Sequence, residues 1–422
     1  MNFRVLLHPI KFLRDNLERI RFQEFCKIDP IFLASVACVL MLGIVMVSSA
    51  SIFLSETKYA HPFYFMTRQI IYLIIGLGFG YFMMAIPTAS LQKISIILMW
   101  IGLLLLLAVL LPVLGKTVNG SQRWINLGVF NLQASEVAKV CMVVYVSGYL
   151  VRRADRVKQR LIGSVMPMLV SSFFVFLLLL EPDFGASVVL LGTVVALLFI
   201  AGAPVNQFII LLLGVIGFLG LIAVSESYRV KRLLNFMDPW ADPYNDGYQL
   251  SQALIAYGRG EWFGLGLGNS VQKLAYLPEA HTDFVFSIWV EETGMLGGLM
   301  LLGVFGVMLS RMFKIGQFAM KLGRLFQGYM CFGFAILIIA QVIINVGVNT
   351  GFLPTKGLTL PLISYGGSSL IITLSSLFVV GRVDIENRLI AADSNLAPSL
   401  KQKKWPKLFG KMKAEQRTEV GE

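Results

Sequence analysis

Charge is scarce in this sequence. Only 14% of its 422 residues are Asp, Glu, Lys or Arg, against about 25% in ordinary soluble domains, which excludes a soluble globular chain. Cysteine is rarer still. The four residues Cys26, Cys38, Cys141 and Cys331 all lie outside the longest polar stretch, so no disulfide framework is expected there. Three scattered histidines, His8, His61 and His281, argue against a histidine metal centre. The N-terminus lacks the short apolar core and small-residue cleavage site of a signal peptide, so the first span is read as the insertion signal. Nothing resembles a nucleic-acid module. Gly264, Gly266 and Gly268 lack the strand–helix context that a dinucleotide fingerprint requires.

What is abundant is apolar. The chain is 56% hydrophobic with a mean hydropathy of +0.74. Runs of roughly 20 apolar residues recur, each long enough to cross about 30 Å of hydrocarbon as a helix. The fold class is all-α polytopic membrane protein. About ten spans are expected, near residues 30–50, 69–87, 94–114, 135–151, 162–180, 184–201, 205–225, 284–310, 325–350 and 361–381. This divides the chain into an N-terminal tail (1–28), a membrane domain (29–382) and a basic C-terminal tail (383–422). Asp29-Pro30 has the cap and first-turn proline of a helix start. Leu13, Leu17 and Ile20 share a face of the N-terminal tail, which can lie flat on the membrane or serve as a plain anchor.

Basic residues orient the domain. With the N-terminal tail in the cytoplasm, about 25 of the 36 Lys and Arg fall inside and about 10 outside, with Lys139 within a span. That excess follows the positive-inside rule. Both termini are then cytoplasmic, and the long polar stretch from Glu226 to Asp283 lies outside.

Four polar clusters gather at this outer side. Lys116–Gly128 contains Arg123 and Trp124 in a turn-rich segment; Arg123 can grip a phosphate or carboxylate, or anchor the interface beside Trp124. Glu181-Pro182-Asp183-Phe184-Gly185 breaks the helical pattern between two acids, and Asp183 can cap the next helix or help hold a divalent cation. The long loop carries Arg229, Arg232 and Lys273 and closes with His281-Thr282-Asp283. Thr282 or His281 is expected to cap the next span, leaving Asp283 in its first turn. Asp283 is the candidate base, with His281 the alternative because imidazole titrates nearer neutrality. The fourth cluster, Leu353–Ser368, contains Lys356 as a phosphate partner and Ser364. Within the membrane, Glu136 and Lys139 lie three apart on one helical face and can neutralise each other or relay protons. Glu291 and Glu292 point in different helical directions, so at most one is expected to share the Asp283 cavity.

The motifs VNGSQRWINLG, NLQASEVAKV, LEPDFG, MDPWADPYNDGYQ, GLGLGNSVQKLAYLPEAHTDF and LPTKGLTLPLISYGGSS together resemble the SEDS family of bacterial cell-wall synthesis, its division members more than its elongation members. Ala134 and Ala275 depart from common family spellings, where proline and an acid are usual. The resemblance implies a peptidoglycan glycosyltransferase that polymerises lipid II at the outer face of the inner membrane, at the division septum. It implies a class B penicillin-binding transpeptidase and other divisome membrane proteins as partners. It places the catalytic aspartate at Asp283, and adds a divalent cation (Mg2+ or Mn2+) without an organic cofactor.

The inventory suits that reaction. A lipid pyrophosphate leaves readily, so the site needs one base for the acceptor hydroxyl and positive charge for the phosphates. Arg123, Arg229, Arg232, Lys273 and Lys356 are the candidate cations, with Trp124, His281 and Ser364 completing the expected substrate-binding set. Two rival readings remain: a lipid II flippase, supported by the polytopic architecture and the Glu136/Lys139 pair, and a noncatalytic division scaffold.

Overall fold

The computed structural model describes residues 28–118, 121–126, 128, 131–159, 161–225, 236, 238–245, 247–354 and 357–393. The tail face of Leu13, Leu17 and Ile20, the basic run beyond 393, and the candidate cations Arg229, Arg232 and Lys356 lie outside the described residues.

In chain order the elements are α1 (Pro30–Tyr59), α2 (Tyr64–Ala85), α3 (Thr88–Lys93), α4 (Ser95–Leu110), β1 (Gly115–Val118), β2 (Ser121–Asn126) and β3 (Asn131–Gln133). They continue with α5 (Ala134–Arg152), α6 (Ala154–Gln159), α7 (Leu161–Leu180), α8 (Phe184–Ile200), α9 (Val205–Ser225), α10 (Tyr248–Gly260), α11 (Val285–Lys321), α12 (Leu325–Asn349) and α13 (Gly367–Asp393). Among the described residues, α1, α2, α5, α7, α11, α12 and α13 are apolar and long enough to cross a membrane; α4, α8 and α9 supply shorter apolar stretches. Each of the ten expected spans overlaps one of these apolar helices.

Local chemistry accounts for the boundaries. The Asp29 side chain accepts from Ile31 N at 3.0 Å, and Pro30 occupies the first helical position of α1. In the last expected span the helix starts at Gly367 rather than at 361, because residues 361–366 form turns. That helix then runs to Asp393, past the expected tail boundary at 382. Its extension is packed: Asp384 and Asn387 are buried, and Asp384 accepts from Asp29 N at 2.8 Å. The Lys116–Gly128 segment is more than a turn. It builds a three-stranded antiparallel sheet in the order β1-β2-β3, pairing Trp124 with both Lys116 and Gln133.

Close packing without a hydrophobic driving force favours small residues between helices. On α2, a Cβ at Gly76 would sit 2.8 Å from Leu374 Cδ1, and one at Gly80 would sit 2.4 Å from the Phe378 ring, so these positions seat α13. One core forms around α1, α2, α11, α12 and α13, a second around α4, α5, α7 and α8.

The polar groups separate to opposite ends of the bundle. One end joins Asp29 to Arg311 and Asp384, and Glu386 to Thr88, Arg324 and Arg382. Arg152 Nη1 donates to Ser95 Oγ there at 2.8 Å. The other end holds the sheet, the α7–α8 turn, the loop closing on Asp283 and the segment after residue 357.

Candidate active site

The site is built on irregular backbone that the protein itself buries. Between α12 and α13, Leu358, Leu360, Leu362, Ile363 and Ser364 are all buried. Such a segment needs internal partners for its backbone, and it has them. Leu358 O accepts from Asn345 Nδ2 at 2.6 Å, Leu360 N donates to Ser364 Oγ at 2.8 Å, and Tyr365 N donates to His281 O at 2.9 Å. Ser364 is therefore engaged in its own turn.

Asp283 lies before α11 instead of within its first turn. The helix begins at Val285, Phe284 takes the cap position, and Thr282 Oγ1 turns back to Glu279 Oε2 at 2.7 Å. Phe284 has no capping side chain, so the local cap signal at 281–282 yielded to tertiary anchors. Two asparagines one turn apart on α12 supply them: Asn345 Nδ2 and Asn349 Nδ2 each donate to Asp283 O at 2.9 Å. Asn349 Oδ1 in turn accepts from Ser287 Oγ at 2.8 Å. The main chain at Asp283 is thus held from α12 while its carboxylate meets the segment after α12. A Cβ at Gly357 would lie 2.8 Å from Asp283 Oδ2. Gly357→Ala should displace the carboxylate rather than unfold the bundle. Because misplacement by about 1 Å can cost on the order of 10²-fold, we expect the activity this site carries to fall at least tenfold with little change in thermal stability, measured on the same purified sample.

The other clusters close around this point. Arg123 Nε donates to Glu181 O at 2.8 Å and its Nη2 to Pro182 O at 2.6 Å, so its fork clamps the α7–α8 turn. Asp183 Oδ1 accepts from Ala186 N at 3.1 Å as the cap of α8. A Cβ at Gly185 would lie 2.8 Å from Leu358, one residue from Gly357. Trp124 is half-buried beside Arg123 on β2. Lys139 Nζ donates to Glu136 Oε1 at 2.8 Å in a pair buried at the start of α5.

Glu181 is the odd member. It is fully buried, and neither carboxyl oxygen has a hydrogen-bond partner among the described residues. Burial, reinforced by Asp183 and opposed by Arg123, pushes its pKa up to about 8. A raised acid keeps its proton when folded but loses it when unfolded, so stability falls as pH climbs from the ordinary value of 4.5 towards about 8. Glu181→Gln should flatten that decline in a thermal-denaturation series across this window; an unchanged slope would show that another group governs it.

Lys273 is not available as a cation for phosphate. It is buried, and its Nζ donates to Glu292 Oε1 at 2.7 Å, Gly268 O at 2.6 Å and Ser49 Oγ at 3.1 Å. Glu291 and Glu292 instead anchor the long loop. Glu291 accepts from Arg259 Nε at 3.0 Å, Val271 N at 3.2 Å, Gln272 N at 3.3 Å and Ser270 Oγ. His281 is buried against Phe65 and Tyr365, with ring centroids 4.7 and 5.7 Å away. Burial lowers its pKa from the ordinary imidazole value, Glu279 opposing the effect and Lys58 adding to it.

Arg68 joins the site although its sequence position served only the orientation count. Its guanidinium stands 4.9 Å over the Tyr64 ring and interacts with Tyr365, whose backbone bonds to His281. Arg68 is exposed in the second turn of α2, and an arginine fork suits phosphate geometry. Asn345 and Asn349 carried a clearer signal, since amides four apart in an apolar span demand a polar partner.

The family model described as FTSW_RODA_SPOVE, cell cycle protein, matches residues 30–389. A probable peptidoglycan glycosyltransferase FtsW of Marinomonas mediterranea is 70% identical over 377 residues, covering 89% of this chain and 93% of its own. A Hahella chejuensis protein of the same description is 49% identical, covering 85% and 90%. Among solved structures, a peptidoglycan synthase complex described as coordinating polymerization and crosslinking superimposes with a TM-score of 0.69 at 31% identity, covering 85% of this chain and 97% of that one. The Thermus thermophilus rod shape determining protein RodA does so with a TM-score of 0.62 at 30% identity, covering 85% and 96%. A match of this extent, over a helical bundle whose scattered polar motifs meet at one end, means that the chain belongs to the FtsW/RodA/SpoVE family of membrane-embedded cell cycle proteins.

Proposed function

We infer that this chain is a peptidoglycan glycosyltransferase that polymerises lipid II into glycan strands, with Asp283 as its general base. The observation that carries the role of Asp283 is its placement: the backbone is pinned by Asn345 and Asn349 and the carboxylate abuts Gly357. The base takes the proton of the acceptor sugar hydroxyl while that oxygen bonds to the donor anomeric carbon. The bond from that carbon to the lipid pyrophosphate breaks, and the pyrophosphate departs with the electron pair. Charge builds on the leaving phosphates, and this reading assigns the exposed Arg68, which stands over Tyr64, to meet it by electrostatic stabilisation of the leaving group. A second carboxyl acid is unnecessary because the leaving group needs no protonation.

A divalent cation belongs to the same proposal. Magnesium characteristically binds through one or two carboxylates together with substrate phosphates. The described residues contain no cluster of three or more ligating His, Cys, Asp or Glu side chains. Asp183 already caps α8, so the described protein groups do not make a cage, and the steps above are carried by the chain's own residues.

The active end faces the cell exterior in this reading, with both termini cytoplasmic and the protein stationed at the division septum of the inner membrane. A class B penicillin-binding transpeptidase and other divisome membrane proteins are its partners. The synthase complex among the structural neighbours supports the transpeptidase partnership. The test uses proteoliposomes containing the chain and its transpeptidase, with lipid II confined to the leaflet at the Asp283 end. Glycan strands should form without transfer of lipid II to the other leaflet. Transfer without polymer would establish a flippase instead, while neither activity with intact partner binding would leave a scaffold.

A further inference from the structure

The end of the long loop holds a feature that sugar transfer does not require. At Gly294, φ is 75° and ψ is −179°, which interrupts α11 and frees its backbone groups. The segment beginning at Glu261 occupies the break. Met295 N donates to Glu261 O at 2.9 Å, Leu296 N to Trp262 O at 3.2 Å, Leu265 N to Glu291 O at 3.0 Å and Gly266 N to Glu292 O at 2.9 Å. A Cβ at Gly264 would lie 2.3 Å from Glu292 O, and one at Gly294 2.3 Å from Trp262 O. Loop and helix are therefore one rigid piece, further bolted by the carboxylates of Glu291 and Glu292.

This rigid piece displays unusual side chains. Trp262 is 63% exposed, Phe263 83% and Leu267 62%, with no charged residue between Trp262 and Asn269. Beyond the break, Met295, Leu296, Leu299 and Met300 are exposed on the membrane-spanning part of α11. The residues that begin this lipid-facing stripe, Met295 and Leu296, are those bonded to Glu261 and Trp262. The loop surface and the stripe are thus continuous, and an apolar patch joined to a hydrocarbon-facing surface has lipid as its natural neighbour.

We propose that Trp262, Phe263 and Leu267 insert into the lipid leaflet at the Asp283 end, forming an anchor that sets the depth of the active site. The ligand is the bilayer itself, at the boundary between headgroups and acyl chains, where tryptophan is favoured. The anchor is rigidly tied to α11, which begins two residues after Asp283. Its insertion holds the base level with the sugar–pyrophosphate of a membrane-bound substrate. The depth-setting role rests on the glycosyltransferase reading, whereas insertion does not.

The test places a reporter in the full-length chain in nanodiscs of phosphatidylethanolamine and phosphatidylglycerol. Cys26 and Cys38 are replaced by alanine, while buried Cys141 and Cys331 are retained. An environment-sensitive fluorophore is attached at Phe263→Cys or at Tyr244→Cys, a control on the same loop that is 87% exposed. The Phe263 label should emit to the blue of the control and be quenched at least threefold more strongly by a shallow nitroxide lipid. Equal quenching of the two labels overturns the anchor. Shielding of the Phe263 label that appears only after adding the transpeptidase also overturns it, assigning the patch to a protein interface. Depth control is tested with Phe263→Asp. Polymerisation should fall about tenfold in bilayers, in line with the cost of misplacing reacting groups, and remain near wild type in detergent micelles. Equal losses in both media overturn depth control while leaving the labelling result to judge insertion. Wild-type inactivity in both media would refute the glycosyltransferase reading instead.

Discussion

Asp283→Asn should yield a folded, membrane-inserted protein that forms glycan strands about 10²–10⁴-fold more slowly than wild type, the usual contribution of a positioned base. The amide is close in size to the carboxylate, so contact with Gly357 is largely kept. The anchors to the backbone carbonyl of Asp283, from Asn345 and Asn349, do not involve the side chain. What disappears is the ability to accept a proton from the acceptor hydroxyl. The comparison requires single-turnover polymerisation at saturating lipid II, with melting temperature and transpeptidase binding measured on the same preparation. A variant with wild-type turnover would remove Asp283 from the chemistry. His281, two residues away and the other candidate base named from the sequence, would then be the next to test.

The second large effect concerns stability. Glu292→Ala should cost about 3–5 kcal/mol, the range for removing one partner of a buried ion pair. Glu292 is buried and accepts from Lys273 Nζ at 2.7 Å and from Ser49 Oγ at 2.6 Å. Its loss strands the Lys273 ammonium in a buried site, where Gly268 O and Ser49 Oγ are the acceptors left among the described residues. The double replacement Glu292→Leu with Lys273→Met removes both charges at similar volume and should recover most of the loss. Thermal unfolding in nanodiscs of the wild type, Glu292→Leu, Lys273→Met and the double variant forms the cycle, with Glu292→Ala measured beside them. A single-variant loss below about 1 kcal/mol would place the pair in the range of solvent-screened surface bridges and contradict its burial. Protease accessibility of residues 261–273 should rise in Glu292→Ala, because the same carboxylate fastens the loop to α11.

Lys273 shows where reading one sequence stops. A cation in a polar outer loop, twelve residues before α11 begins at Val285, is as suitable for phosphate as for an ion pair. Its partners, Glu292 and Ser49, come from α11 and α1, and no local periodicity links them. Arg123 illustrates the same difficulty: a fork suited to phosphate spends two donors on carbonyls 58 and 59 residues away. The displacement of Asp283 from the first helical turn has a related origin. Sequence caps at His281 and Thr282 competed with asparagines on another helix, and the tertiary hydrogen bonds prevailed.

Elsewhere, local physics was sufficient. Long apolar runs must satisfy their backbones within helices when they enter lipid, so the positions of the helices could be read from hydropathy. Asp29-Pro30 marked the beginning of α1 for a reason contained in two residues. Residues 361–366, expected to open the last span, are instead irregular chain whose first four residues are buried, and that outcome was visible only once distant helices had packed around them.

The sequence by itself determined the membrane class, the helical segments and the family, because hydropathy and motif order are properties of the linear chain. Only the tertiary structure decided which charges are spent in pairs, how Asp283 is pinned, and that the Trp262 loop is welded into α11. Those outcomes depend on which distant groups share a buried, low-dielectric space, where an unpaired charge is costly and every donor seeks an acceptor.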